Sequence, residues 1–401
     1  MGNSRPIILI QALLLCLTSS VAAQHIPTSP PVVSATVINT VQPAIEMIVQ
    51  PTVEVAIQLT AKPGEVKLSL QPQLPTEADL FTRPGTRFHK VVGVPPQFVF
   101  FLPIESKGPL ILFDINAKRV LTTTFISPRG NPTIPYDLVL GHDGTVWSLG
   151  DYDSGGQEWV LRQFNLQRMV FIPIQDLNGF LRGDGVQGTQ SLCEDTQGNL
   201  WLIINDRLIK YSPMTGLVER IPLSEADYHV ASFKPSIDAI QCDDRGNVWL
   251  IITQYAQSLH ERSYWKLYRL DEPNYHPVDY QSPNRGETYN FAGQFLLDPG
   301  GNVWVVDTGF ALSMSKFDNA IPHWQSIRPP NASFEPGTLF RSSDGRLWMS
   351  SYASPGIVVY NPATTSWQSI AGISSAVGQS QDGDLWTADD KQIYKIVLGS
   401  Q

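Results

Sequence analysis

Zinc is usually held by closely spaced histidines, and the seven histidines of this 401-residue chain do not offer that spacing. His25, His89, His142, His229, His260, His276 and His323 form no His-x-His or His-x-x-x-His pair, so no zinc site is spelled out. There is also no Gly-x-Ser-x-Gly elbow, no P-loop and no dinucleotide-binding glycine fingerprint. What remains is a set of polar side chains that recur beside apolar runs. The carboxylates Asp151, Asp307 and Asp389, with Asp390, each stand close behind a tryptophan. Gathered at one point they could hold a hard cation such as Mg²⁺ or Ca²⁺, although no cofactor is certain. Tyr136, Gln190 and Asp238 recur ahead of the tryptophans, and Asn205 and Thr253 behind them. Polar residues framing apolar strands are the pattern of a lined binding funnel.

Those positions are set by one phrase that occurs six times. His142-Asp143-Gly144-Thr145-Val146-Trp147 is the first copy and Gln381-Asp382-Gly383-Asp384-Leu385-Trp386 the last. The copies between them end at Trp201, Trp249, Trp304 and Trp348. In each, Gly is followed two residues later by Val or Leu and three later by Trp. The Trp-to-Trp spacings are 54, 48, 55, 44 and 38 residues. A period of 40–50 with one aromatic per unit predicts an all-β chain folded as a β-propeller. The Gly supplies the positive φ of a tight hairpin turn. Runs such as Val248-Trp249-Leu250-Ile251-Ile252 read as strands covered on both faces, with the Trp filling the wedge between blades.

Each unit reads as four antiparallel strands, and residues 87–126 supply four more candidates without the Trp. The last unit, after Trp386, has room for too few strands. Glu65 to Leu70 alternates polar and apolar residues and is placed to complete that blade and close the ring. Seven blades are expected, with six as the alternative. Cys193 lies five residues before its turn Gly and Cys242 four before its own. That offset suits a disulfide between facing blades; separate buried thiols are the other expectation.

Residues 1–23 read as a signal peptide. Arg5 precedes an apolar run from Ile7 to Leu17, and Val21-Ala22-Ala23 offers the small residues of a cleavage site. The run is too short to span a bilayer, so no transmembrane span is expected after cleavage. The chain is expected to be exported: secreted, periplasmic or at the cell surface. Residues 24–64, rich in Pro, Val and Thr, read as a linker or tether ahead of a propeller over 65–401. The net charge of −9 argues against nucleic acid, which requires a basic face. Asn331-Ala332-Ser333 is a glycosylation sequon.

The Gly-Asn-[Leu/Val]-Trp phrase, in this turn-and-strand setting, resembles the propellers of the streptogramin (virginiamycin B) lyase-like and two-component-regulator groups, over residues 87–401. Val303-Trp304-Val305-Val306-Asp307-Thr308-Gly309 is also similar to a fragment of the yellow/royal-jelly and gluconolactonase-like propellers. The lyase resemblance implies a catalytic His eight residues before the turn Gly and a Glu three residues after the Trp, near a bound Mg²⁺. Here the first column reads Tyr136, Gln190, Asp238, Gly293, Gly337 and Ser375, and the second Gly150, Ile204, Ile252, Asp307, Ser351 and Asp389. Neither holds a His or a Glu. The expected function is therefore a non-enzymatic, exported propeller presenting a polar ring mouth to a small molecule or an extracellular protein. A divalent-metal-dependent lyase or lactonase-like enzyme is the alternative.

Overall fold

Six of the seven tight turns carry the phrase, and each is built the same way. In the computed structural model the turn Gly takes a positive φ, between 78° and 90°, in all six copies. Its N–H donates to the carbonyl three residues back, as Gly198 does to Asp195 at 3.0 Å. In five copies the residue six before the Trp then anchors the indole, the first copy having Gly141 there: Trp201, Trp249 and Trp304 donate Nε1–H to Asp195, Asp243 and Asp298 at 2.9–3.1 Å. Trp348 and Trp386 donate to the hydroxyls of Ser342 and Ser380, both at 2.9 Å. All six phrase tryptophans are buried. The phrase thus joins turn, strand and inter-blade packing in one unit.

The structure describes residues 67–74, 87–103, 110–123, 125–126, 132–133, 135–153, 156–177, 191–204, 206–223, 233–256, 264–271, 276–281, 292–307, 313–318, 323–327, 336–351, 356–373 and 375–399. The expected signal peptide and linker, and the sequon, lie outside them. Among the described residues no helix is long and apolar enough to cross a membrane.

Seven four-stranded antiparallel sheets form the blades, with one further two-stranded pair. Blade 1 is Phe88–Val94, Phe98–Pro103, Leu110–Asp114 and Arg119–Thr123; blade 2 is Asp137–Leu140, Val146–Asp153, Gly156–Asn165 and Val170–Asp176. Blade 3 is Ser191–Glu194, Leu200–Ile204, Arg207–Ser212 and Leu217–Ile221; blade 4 is Phe233–Cys242, Val248–Ala256, Tyr264–Asp271 and His276–Gln281. Blade 5 is Ala292–Leu297, Val303–Asp307, Ser313–Asp318 and His323–Ile327; blade 6 is Pro336–Arg341, Leu347–Ser351, Gly356–Asn361 and Ser366–Ala371. Blade 7 has Gly378–Gln379, Leu385–Ala388 and Ile393–Gly399, and takes its fourth strand from Lys67–Pro72. Lys67 pairs with Gly399 and Pro72 with Tyr394, so the first described strand and the last complete one sheet.

Apolar clusters fill all seven blade interfaces. Blades 3 and 4, for example, bury Trp201, Ile203, Ile240 and Leu250 together. Blade 1 lacks the Trp, and Phe100 fills its wedge against Phe164 and Phe171 of blade 2. At the seam between blades 7 and 1 the first strands nearly touch. A Cβ on Gly378 would lie 2.4 Å from the Val91 carbonyl oxygen, and one on Gly93 2.2 Å from that of Gln379. The carbonyl of Phe88 accepts from Ala376 N–H at 2.8 Å, and Phe88 N–H donates to Ser375 Oγ at 3.1 Å. The side chain of Gln392 acts as a surrogate peptide for the closing strand. It accepts from Leu74 N–H at 3.0 Å and donates to the Leu74 carbonyl at 2.8 Å.

Candidate binding site at the channel mouth

The first strand of every blade contributes to the wall of a central cavity of about 610 Å³. The hydrogen-bond register of these strands breaks at one recurrent place. A bulge falls at His89 in blade 1, Asp238 in blade 4, Gly293 in blade 5 and Gly337 in blade 6. Such a bulge leaves one residue out of the ladder and re-aims it. Tyr136 of blade 2 and Ser375 of blade 7 stand at the same distance before their turns. The bulges therefore lie at the end of the cavity opposite the glycine turns, the end at which the expected mouth residues stand.

His89 belongs to this column although no tryptophan marks it. Val94 pairs with Phe98 across a turn that contains Gln97 where the other blades have Gly, and His89 lies eight residues before Gln97. The six-membered column read from the tryptophans thus has a seventh member, and that member is a histidine. Counting back from the hairpin between Val94 and Phe98, rather than from a Trp, is the signal that finds it. The second column gains Pro103, whose carbonyl is 3.1 Å from His89 Nδ1. Burial pulls the His89 imidazole below its ordinary pKa and favours the neutral ring. Asp137 opposes that effect and Lys90 adds to it.

Beside His89, Lys90 Nζ reaches Asp137 Oδ1 at 2.5 Å, and Asp137 Oδ2 accepts Leu192 N–H at 3.0 Å. One buried carboxylate so ties blades 1, 2 and 3 together. Gln294 makes the equivalent tie from blade 5, accepting Leu339 N–H of blade 6 at 2.8 Å. Tyr136 is fixed differently. Its ring stacks on Trp159, with centroids 5.4 Å apart and planes 23° from parallel. Its edge runs against Gly150, where a Cβ would lie 2.5 Å from Tyr136 Cδ2.

Of the expected ligand-binding residues, Tyr136 and Asp238 do line the cavity. Thr253 lies within blade 4, fully buried between Ser236 and Trp265 in the strand register, and is not part of the wall. Gln190 and Asn205 lie outside the described residues. The backbone of Asp307 ends its second strand and that of Asp151 lies two residues before the end of its own, but their side chains are not among those described. The Asp389 carboxylate accepts from the N–H groups of Lys391 and Gln392, both at 2.8 Å, and from the Tyr394 hydroxyl at 3.0 Å. It caps a turn. Among the described residues no group of three or more His, Cys, Asp or Glu is placed to hold a metal ion. Cys193 and Cys242 are joined as a disulfide between the first strands of blades 3 and 4, with Cα atoms 5.7 Å apart.

No family model matches the chain, and no curated protein does. Solved structures do. A streptogramin B lyase superposes with a TM-score of 0.59 at 13% identity, over 83% of this chain and 98% of the lyase. The likeness is one of fold. The extracellular domain of a hybrid two-component system from B. thetaiotaomicron gives 0.57 at 14% identity, over 83% of this chain and 43% of that one. YCF48 bound to D1 peptide gives 0.55 at 10% identity, over 85% of this chain and 97% of that one. At such identities the seven-bladed architecture is common ground, while function belongs to the side chains grafted onto it.

Proposed function

We propose that this chain is an exported binding propeller that takes a small molecule or a protein segment at the mouth of its central cavity. The observation that carries this reading is the column of register breaks. His89 and Asp238 stand at such breaks, Tyr136 stands at the same distance before its turn, and all three line the cavity beside apolar residues such as Val91, Leu138 and Ile240. A cavity of about 610 Å³ is within the usual range for ligand sites, and apolar walls with a few placed polar groups are their usual make-up. A neighbour of the same fold bound to a peptide, and another that is an extracellular domain, support the class of partner and the location.

The test is the double variant Tyr136→Ala with Asp238→Ala, assayed against whatever a ligand screen on the wild type returns. Binding is abolished while the melting transition stays cooperative. Unchanged affinity would move the site to the turn end or the outer rim.

His89 favours a second reading, an enzyme of the lyase or lactonase kind using Mg²⁺ or Ca²⁺. An imidazole kept neutral at the mouth is a competent general base. This reading expects a rise in melting temperature with either cation that is lost in Asp307→Asn.

A further inference from the structure

In three blades the side chain four residues before the turn Gly is bonded to the preceding blade. Glu194 of blade 3 accepts His142 N–H from the turn of blade 2 at 2.6 Å. Gln379 of blade 7 accepts Ser343 N–H from the turn of blade 6 at 2.8 Å. Cys242 of blade 4 makes the same crossing as a disulfide to Cys193 of blade 3. His142 and Ser343 each stand two residues before their turn Gly. In the turns of blades 1 and 5 that residue is a proline, Pro95 and Pro299, which has no N–H to give. The following blades answer differently. Blade 2 carries Leu140 at the clamp position, with no polar group to satisfy, whereas blade 6 carries Arg341.

Arg341 lines the cavity and is half-buried, and its guanidinium has no hydrogen-bond or ion-pair partner among the described residues. The carboxylate of its own turn, Asp344, is taken instead by Arg346 at 3.1 Å. Lys90, the other cation of the cavity wall, is paired with Asp137. A repeat that ties its blades together at this position thus leaves one member untied and charged, and a half-buried charge is costly without a counter-charge. Around it the turn end of the cavity is apolar. Val92, Val139 and Phe340 line it half-buried, and Leu140 is 37% exposed.

We infer that the turn end of the cavity binds an apolar monocarboxylate, such as a medium-chain fatty acid. The planar fork of Arg341 matches a carboxylate, and the hydrocarbon body lies on Val92, Val139, Leu140 and Phe340. One guanidinium, with Asp344 on the same turn, suits a single negative charge rather than a phosphate dianion. The site is separate from the binding mouth: Arg341 lies four residues further along the first strand, about 13 Å away.

Octanoate, 1-octanol and acetate separate the charge from the chain. Each is added at about 1 mM to the full-length protein and followed by saturation-transfer NMR and titration. Octanoate binds at least tenfold more tightly than either of the others. Arg341→Gln brings it down to the level of octanol, and Arg341→Lys restores part of the difference. Leu140→Asp, which sets a like charge beside the acid, also costs at least tenfold and carries the test if Arg341→Gln fails to melt cooperatively. Equal binding of octanoate and octanol, equal binding of octanoate and acetate, no binding of octanoate, or binding that survives these substitutions overturns the inference. Octanoate binding is unchanged in the Tyr136→Ala, Asp238→Ala double variant. Its loss there would place the acid at the mouth, ending this inference while leaving the binding-mouth reading intact.

Discussion

Asp195 shows how much one side chain of the repeated phrase does. Its carboxylate accepts from the N–H groups of Gln197 and Asn199, from the Asn199 amide, and from the indole of buried Trp201. Removing a partner from a buried donor costs its desolvation, about 1–3 kcal/mol. Asp195→Ala is expected to lower unfolding free energy by about 2–3 kcal/mol in urea titrations, with the slope unchanged. A loss within experimental error would mean that water replaces the carboxylate. His89 makes a pH-dependent contribution of definite sign. Its folded pKa is depressed, so in the unfolded chain it protonates first as pH falls below about 6.5. Stability from this residue is therefore full above that pH and is lost as pH falls toward the folded pKa. The wild type minus His89→Gln difference in unfolding free energy should shrink between pH 7 and 5, and a flat difference would count against burial as the cause. At this scale the sequence was legible where a marker repeats. Six turns and their tryptophans could be read directly, whereas His89 could not. In blade 1 Phe100 does the work of the Trp and Gln97 occupies the glycine site, so packing is kept while the marker is lost.

Among elements, the closing strand has the most to lose. Lys67–Pro72 covers one edge of Ile393–Gly399, and Gln392 pins the residue after next from both sides. Removing residues 24–75 exposes that edge and is expected to promote aggregation and lower the melting temperature, while removing 24–60 leaves both nearly unchanged. Two truncations that melt alike would assign the edge another cover. The strand alternation of Glu-Val-Lys-Leu-Ser-Leu revealed the pairing partner because a four-stranded repeat left one place unfilled. The bulges were not legible. A bulge is set by how strands pair across a ladder, and a single strand's pattern of apolar residues carries no mark of it. The seam has a comparable sensitivity. Gly378→Ala would push a methyl into the Val91 backbone at 2.4 Å, an atom that cannot rotate away. It is expected to cost more than the ordinary 0.5–1.5 kcal/mol of a small core change, as read by urea titration. A cost near zero would mean that blades 7 and 1 can part without penalty.

For the molecule as a whole, a ring of seven wedges has no spare interface: each blade is held from both sides, and a fault at one seam opens the circle. The disulfide between blades 3 and 4 guards one such seam, with its cysteines 49 positions apart in the sequence. Closing a loop of that length is worth about 4 kcal/mol in the chain-entropy view. Denatured, unreduced protein should show no free thiols among Cys193 and Cys242, and reduction should lower the melting temperature without abolishing the fold. Two free thiols would exclude the bond. The ring closure also has a consequence for how the chain is made. Blade 7 joins a strand near residue 70 to one that begins at Ile393. At a ribosomal rate of roughly 5–20 residues per second, the early strand waits tens of seconds for its partner to be synthesised. During that interval six blades can form in order, yet none can be part of a circle. The chain must therefore carry an unpaired β-edge until residues 393–399 arrive, and a chaperone that covers residues 67–72 would set the yield of native protein.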